Sequence, residues 1–239
     1  MFDYLANPAR FQRIANLLTP VVWAGFVLTL LPGLYYAFLS SPADYQQGET
    51  VRIMYIHVPA AWMALFGYTA MALMAVFTLV WKHPLADIAA RSMALPGAAF
   101  AFITLVTGSL WGRPMWGTWW VWDARLTSML ILLFLYIGYM ILVDSFDRFE
   151  RGGKSGAILL LIGAINIPII KFSVDWWNTL HQGASVFRIG GPTIDPSMLL
   201  PLALMALAAK CWFIGITLMR MKTLLGERRL ATIAAKQER

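Results

Sequence analysis

Two of the three histidines in this sequence flank a run of tryptophans, an arrangement that suits a flat, metal-containing ligand. His57 precedes the run and His181 follows it, and five of the 11 tryptophans lie between Trp111 and Trp122. Neutral imidazole is a common ligand of haem iron, and large aromatic rings form a platform on which a planar molecule stacks. Two histidines on opposite faces of a macrocycle need no third protein ligand, so the pattern predicts a haem site.

Considered one at a time, each of these residues could instead have a purely structural role, and that alternative stays open. A lone histidine is more often a structural residue than a ligand, and single tryptophans commonly anchor helix ends in the headgroup region. His83, between Lys82 and Pro84, is interpreted as a solvated loop residue. The clustering of the rings favours the ligand hypothesis. The tryptophans expected to form the platform are Trp116, Trp119, Trp120 and Trp122.

Other metal chemistry fits this sequence less well. The single cysteine, Cys211, allows no intrachain disulfide and no C-x-x-C pair, which excludes thiol–disulfide exchange and self-attachment of a c-type haem. Zinc would require a third and a fourth ligand, and no cluster in the sequence supplies them. His57 lies two residues before Pro59, where the positive end of a predicted helix would keep the imidazole neutral.

Three charged residues near His57 or the tryptophans are further candidates for the site. Arg52 and Arg125 could each pair with a haem propionate in a bidentate contact. They could equally be helix-end charges in the headgroup zone, and both hypotheses stay open. Asp123 is suited to capping the helix that follows it, with an arginine or histidine partner as the alternative.

The composition predicts that these residues belong to a polytopic membrane protein. Hydrophobic residues make up 59% of the 239 residues and charged residues only 13%, and the mean hydropathy is +0.65. A soluble domain carries about 25% charged residues and could not bury so many apolar side chains. Basic residues flank the apolar runs, so the net charge of +7 indicates membrane topology rather than nucleic-acid binding.

Six stretches are long and apolar enough to cross a bilayer as helices, since a span needs about 20 residues and lipid satisfies no open backbone. The predicted fold class is therefore all-α, with one membrane domain over residues 1–239. The segment before the first span resembles a short interfacial helix, and Pro168 is expected to kink the fifth span. The predicted spans are residues 20–40, 57–80, 93–111, 126–143, 157–174 and 197–219.

Lysine and arginine residues orient these spans. Thirteen lie on the side that holds both termini and five on the other, so the positive-inside rule predicts cytoplasmic N- and C-termini. The outward loops are then residues 41–56, the Trp-rich loop 112–125 and residues 175–196, which hold or border both candidate histidines. Lys210 lies alone inside the sixth span, where a charge is by default functional, and we expect it to contact a partner subunit or a carboxylate.

No ATPase machinery is visible. The segment Arg151–Ser155 resembles the end of a phosphate-binding loop, but Arg148 occupies the position of the first glycine and no strand precedes it. This segment is interpreted as a cytoplasmic linker. Any ATP used in this protein's work is therefore expected to be hydrolysed by a partner.

The tryptophan run carries a resemblance to a known family. Residues 116–123, WGTWWVWD, match the W-G-x-x-W-x-W-D motif of the tryptophan-rich haem-handling proteins. The wider run Trp111–Thr127, and Asn166–Gln182 with its Asp175-Trp176-Trp177, are similar to the cytochrome c maturation protein C group, also called haem exporter protein C. The likeness covers nearly the whole chain. Longer relatives, of the cytochrome c synthetase type, carry more spans and a large outer domain that this sequence lacks.

The resemblance implies a role in c-type cytochrome biogenesis that is not enzymatic. It implies that His57 and His181 are the axial ligands of haem b, which is bound transiently as cargo, and that the tryptophan motif is its platform. The implied partners are a periplasmic haem chaperone, the ATPase and permease subunits of an ABC transporter complex, and a small helical membrane subunit. The implied location is the bacterial inner membrane, among lipid, with the haem site facing the periplasm.

Two other functions compete with haem delivery. A membrane b-type cytochrome would carry electrons through a resident haem, but such proteins usually place their histidines deeper within helices. A solute permease could use the Trp-rich loop as a gate, but its spans would need polar linings, and these spans are nearly free of polar residues.

Overall fold

The computed structural model describes residues 6–237 except 178, 182, 184 and 187, together with all their side chains apart from that of residue 235. The described residues form helices and connecting loops, and six helical stretches are long and apolar enough to cross a membrane. The all-α prediction and the number of spans are therefore confirmed. The helices are α1 Pro8–Tyr35, α2 Met54–Leu79, α3 Ala86–Trp116, α4 Ala124–Asp144, α5 Phe149–Gly163, α6 Asn166–Trp176 and α7 Pro196–Gln237.

The first and last spans form an antiparallel pair. The close approach of α1 and α7 runs from Gly33 against Met205, through Gly25 against Cys211, to Gly215 against Trp23. The start of α1 and the end of α7 therefore lie at one end of the bundle, which we call the inner end. The outer end carries the segments 41–53 and 117–123 and the described residues between α6 and α7.

The expectation of a separate interfacial helix before the first span was wrong. Asn7 caps α1 by accepting a hydrogen bond from the backbone N–H of Ala9, and the helix then continues without a break to Tyr35. Phe11 and Ala15 do not face lipid, because they are buried in a cluster with residues of α3 and α7. After α1, a π-helical turn at Tyr36–Ser40 ends the first span.

Tyrosines pack against glycines in the centre of the bundle. The ring of Tyr136 on α4 lies where a side chain at Gly97 of α3 would be, and its hydroxyl donates to the carbonyl of Ala64 on α2, 2.7 Å away. The hydroxyl of Tyr68 occupies the same kind of gap beside Gly163. These close contacts fix α2, α3, α4 and α5 relative to one another, because a packed core cannot absorb even one added methyl group without a shift.

The fifth span is broken, as the sequence predicted from Pro168. Residues 164 and 165 separate α5 from α6, because Pro168 has no N–H to donate to the carbonyl four residues earlier. The carbonyl of Ala164 instead accepts from the N–H of Ile167 at 3.1 Å. The Asn166 side chain donates to the carbonyl of Ser128 at 2.8 Å, which ties the break to α4. The outer half of this span, α6, leads directly into the segment that holds His181.

Two guanidinium groups contact the same aromatic ring at the inner end. Arg91 of α3 and Arg228 of α7 lie over the ring of Phe149, with centroid distances of 3.8 and 3.3 Å. Arg91 also pairs with Asp87 at 3.3 Å and reaches the carbonyl of Phe149 at 3.1 Å. This inner-end cluster joins α3, α5 and α7.

The segment interpreted as a linker belongs to this cluster. Residues 151–155 lie in α5, so that interpretation was wrong. A Cβ atom at Gly153 would lie 2.6 Å from the carboxylate of Asp87, and one at Gly152 would lie 2.9 Å from the guanidinium of Arg91. The two glycines that resemble a phosphate-binding loop therefore allow α5 to pack closely against the charged groups of α3.

Candidate functional site

The outer end of α3 holds both candidate histidines. His57 lies in the first turns of α2 and packs against α3 at Thr107, Gly108 and Trp111. His181 lies in the segment after α6 and packs against Trp116, in the last turn of α3, with ring centroids 4.8 Å apart. Two histidines 124 positions apart in sequence therefore contact one helix end.

The hydrogen bonds of Thr107 fix which nitrogen of His57 is open. The Thr107 hydroxyl donates its one hydrogen to the carbonyl of Ile103 at 2.6 Å. It must therefore accept from Nδ1–H of His57, which lies 3.0 Å away. This tautomer leaves Nε2 with a free lone pair, the state that coordinates a metal.

His181 is held in the same way by a carboxylate. Its Nδ1 lies 2.9 Å from Oδ2 of Asp123, which as an ionised carboxylate only accepts, so Nδ1 carries the hydrogen and Nε2 is open. The other oxygen of Asp123 accepts from the N–H of Leu126 at 2.8 Å and caps α4. The capping role and the histidine contact, which were alternatives in the sequence, are therefore both present.

The pKa of His181 favours the neutral ring. Burial lowers its pKa below the usual value, although the hydrogen bond and negative charge of Asp123 act in the opposite direction. The charge of nearby Arg125 also lowers it. A neutral imidazole is what a metal requires, because a proton on Nε2 would occupy the coordinating lone pair.

Glycines make room for the rings at the end of α3. A Cβ atom at Gly108 would lie 3.0 Å from Cε1 of His57, and one at Gly112 would lie 3.0 Å from the ring of Trp116. Gly117 ends the helix with a φ of 76°, a left-handed conformation that side-chain-bearing residues rarely adopt. The first two residues of the WGTWWVWD motif are therefore the last residue of α3 and its C-cap.

The remaining tryptophans of the motif lie on the loop that leads to α4. Trp120 is partly buried against the main core, and its ring meets that of Trp122 edge to face at 5.4 Å. Trp119 and Trp122 are exposed, at 55% and 75%. Ser109 holds the loop back against α3 by donating to the carbonyl of Trp119 at 2.6 Å. An open apolar groove is lined by Leu105, Val106, Ser109, Leu110, Trp119 and Trp120.

The two candidate arginines already have partners in the chain. Arg52 pairs with Glu49 and donates to the carbonyl of Ala37 at 3.0 Å, which joins the turn before α2 to the end of the first span. Arg125 donates to the Ser173 hydroxyl at 3.2 Å and so joins α4 to α6. Their positions are explained by these contacts, and propionate binding stays a prediction for both.

Sequence reasoning missed the residues that orient His57. Thr107 and Gly108 come before the tryptophan run and match no motif by themselves. Trp111, which the run includes, contacts the His57 ring and also donates from its Nε1 to the side chain of Gln47 at 2.9 Å, so it joins the histidine to the segment before α2. Helical spacing is the sequence signal that could have pointed to Thr107 and Gly108, since Gly108 lies one helical turn before Gly112.

Comparison with known proteins identifies the family. A family model described as "Heme exporter protein C" matches residues 1–236. This chain belongs to the haem exporter protein C family. The Bradyrhizobium diazoefficiens haem exporter protein C is 52% identical over 233 residues, which cover 98% of this chain and 88% of that protein. The Escherichia coli K12 haem exporter protein C is 48% identical over 221 residues, covering 92% and 89%.

Similarity to this family extends beyond bacteria. A Marchantia polymorpha protein named as a putative cytochrome c biosynthesis ccmC-like mitochondrial protein is 50% identical over 208 residues, which cover 85% of this chain and 86% of that protein. The resemblance inferred from the WGTWWVWD motif is therefore confirmed at the level of the family. The haem exporter protein C relatives match the membrane region as a whole, not the motif alone.

Proposed function

We propose that this protein binds haem at the outer end of α3 and delivers it to a periplasmic haem chaperone. Membership of the haem exporter protein C family supports the general role, which is haem handling in cytochrome c biogenesis as part of a haem export complex. The observation that carries the specific role is the matched state of two histidines. His57 and His181 each use Nδ1 within the protein and leave Nε2 open at the same helix end.

The two histidines are proposed as the axial ligands of the iron. Thr107 and Asp123 lock the tautomers, so neither imidazole must exchange a proton before it coordinates. The cargo is haem b, held by coordination and stacking without a covalent bond.

The tryptophan motif is proposed as the platform. Trp116 contacts His181, and the rings of Trp119 and Trp122 are exposed beside the groove on α3. Exposed tryptophans next to a ligand can contact both the macrocycle and a soluble partner, since indole is large, flat and has one polar edge. The chaperone is therefore expected to dock on this loop.

The charges near the platform are proposed to bind the propionates. Arg52 shares its guanidinium with the exposed carboxylate of Glu49, which a propionate could replace. Arg125 is anchored by Ser173 and lies close to Asp123, which binds His181, so it is the candidate beside that histidine.

The proposed setting is the bacterial inner membrane, with the outer end in the periplasm. Lysines and arginines are concentrated at the inner end, as the positive-inside rule requires of a cytoplasmic side. ATP hydrolysis is assigned to the ATPase and permease subunits of an ABC complex, and a small helical membrane subunit completes the assembly. The protein itself presents haem and catalyses no bond change.

The test is an absorption spectrum of the purified protein before and after incubation with the haem-free chaperone. A six-coordinate bis-histidine spectrum that moves to the chaperone fraction is expected. A spectrum that stays with the membrane protein would identify a resident cytochrome instead. Purification without any haem, from cells that make c-type cytochromes, would contradict the ligand assignment.

Substitutions distinguish the role of the histidine ligands from that of the tryptophan platform. We expect His57→Ala or His181→Ala to leave a weakened five-coordinate haem and the double variant to lose it, whereas His83→Ala at the inner end should resemble the parent. Replacement of Trp119, Trp120 and Trp122 together by alanine should lower both haem retention and chaperone loading. Normal loading in this triple variant would mean that the tryptophans only anchor the loop in the headgroups.

A further inference from the structure

Lys210 is a charged residue exposed on the membrane-facing surface of the sixth span. It lies on α7, 14 residues after Pro196 and ten residues before Arg220, and no other charge occurs between those two positions. At about 1.5 Å per helical residue, it is roughly 21 Å from the outer start of the helix and about 15 Å from Arg220. These distances place Lys210 near the middle of a hydrocarbon layer of about 30 Å.

Snorkelling does not bring this charge to water. An extended lysine side chain covers less than half of the distance to Arg220, so its ammonium group would remain within the hydrocarbon layer. An exposed ammonium at this depth is strongly unfavourable unless it is paired or hydrogen-bonded. Lys210 therefore requires a polar partner at its own depth.

The described part of the chain does not provide this partner. Within the described residues, the contact found for the Lys210 ammonium is the ring of Phe66 on α2, whose centroid lies 5.9 Å away. The acidic residues of the described α-helices lie in first or last turns or, for Glu227, in the part of α7 beyond Arg220. None of them lies at the depth of Lys210.

The surface around Lys210 has the form of a helix-packing seam. Exposed residues at i, i+3, i+7 and i+10 along α7 form one stripe, and Phe66, which is 46% exposed, borders it from α2. The stripe alternates large and small side chains and ends in the charge, which is how polar residues join helices in a membrane. Its members are Leu200, Ala203, Leu207 and Lys210.

We propose that this stripe is the docking surface for a transmembrane helix of another protein, which carries an aspartate or glutamate at the depth of Lys210. The carboxylate would pair with the ammonium, and the neighbouring residues of the helix would pack on Leu207 and Phe66. A second copy of this chain does not fit, because its described spans have no carboxylate at that depth and would oppose one lysine to another. Lipid phosphate does not fit either, since it lies at the bilayer surface.

A photocrosslinking residue at Leu207 tests the surface directly. Leu207 lies one turn before Lys210 and is 51% exposed, and Phe134 on α4, which is 59% exposed, is the matched control. Crosslinking is carried out in cells that also express the rest of the haem export complex, and the adducts are identified by mass spectrometry. The expected adduct from Leu207 is a transmembrane peptide of another protein that contains Asp or Glu, and none is expected from Phe134.

Substitution of the lysine tests the charge. In a Lys210→Met background, the Leu207 adduct should fall about tenfold, whereas Lys210→Arg should preserve it. The haem spectrum of both variants checks that the protein is folded. The proposal is overturned if no Leu207 adduct forms, if the adduct is a second copy of this chain, if the captured peptide lacks an acidic residue, or if Lys210→Met leaves the yield unchanged. If the Lys210→Met variant is not found in the membrane, the proposal is tested by whether the Leu207 adduct forms in the protein that retains Lys210.

Discussion

The Nδ1 atom of His181 lies 2.9 Å from Oδ2 of Asp123, and the same carboxylate caps α4 through its other oxygen. One side chain therefore connects the start of a transmembrane helix to the tautomer of a proposed ligand. Any change in the capping geometry of α4 also changes the orientation of the imidazole ring. This coupling makes Asp123 the most informative residue of the site for mutagenesis.

Asp123→Asn should separate the two roles. Its amide oxygen can still cap α4, but its amide N–H₂ can face Nδ1 of His181 only as a donor, which forces the ring hydrogen onto Nε2. We expect a normal melting temperature with haem affinity lowered by about 10–100-fold, the usual cost of losing an outer partner of a ligand. Haem titration and thermal melting measure the two effects. Asp123→Ala should also lose about 1 kcal/mol of helix capping.

Thr107→Val should weaken haem binding through the other proposed ligand, His57. Valine has nearly the same shape but cannot accept from Nδ1–H of His57, so that ring loses its fixed tautomer. Haem affinity is expected to fall by about 10–100-fold, with Thr107→Ser close to the parent because serine keeps the hydroxyl. Equal affinities for the valine and serine variants would show that Thr107 does not orient His57.

Gly108→Ala should displace His57 by contact alone. The added methyl group would lie 3.0 Å from Cε1 of the imidazole, which is tighter than an ordinary contact, so the ring must move. We expect a weaker or altered axial ligand signal in the spectrum. Gly138→Ala in α4 is the control, because a Cβ atom there meets nothing within 4 Å. Identical spectra for the two variants would contradict this account.

The stability of the haem-free protein should fall as the pH falls below about 6.5. Because burial lowers the pKa of His181 in the folded state, the unfolded state binds more protons in that range, and protonation then favours unfolding. The melting temperature in detergent between pH 7.5 and 5 measures this trend. His181→Gln should reduce the slope, and an unchanged slope would mean that His181 is not the titrating group.

Gly153→Ala should destabilise the inner end without affecting the haem site. Its methyl group would overlap the carboxylate of Asp87, which Arg91 holds in place. Overpacking of this kind costs about 1–3 kcal/mol. A lower melting temperature with an unchanged haem spectrum is the expected result, since the cluster and the histidines lie at opposite ends of the bundle. A changed spectrum would show that the two ends are coupled.

The sequence predicted the elements of this molecule better than their contacts. Apolar run length and the position of a proline are local properties, and they correctly gave the six spans and the break before Pro168. The capping of α4 by Asp123 was also predictable, because a cap involves neighbouring residues. The tautomer lock on His57 was not, since Thr107 lies 50 positions from it and only the packing of α2 on α3 brings them together.

The difference between local sequence features and contacts among distant residues also explains the predictions that were wrong. The first residues looked interfacial because basic and apolar side chains alternate there, but Phe11 and Ala15 are buried by the distant residues of α7. The glycines of residues 151–155 looked like part of a linker because glycine is common in loops. Their actual role depends on Asp87 and Arg91, more than 60 positions away. The six spans were visible in the sequence, but which faces meet was not.

The pairing of α1 with α7 has a consequence for how the chain assembles. In its most apolar window, only 6% of α1 is buried, and the surface it does bury is mostly against α7. During synthesis, α1 enters the bilayer first, whereas its main binding surface is made last. The first span therefore remains in the bilayer without its main packing partner until about 200 further residues have been synthesised. A ribosome that stalls before α7 would leave α1 detached and recognisable to membrane quality-control proteases.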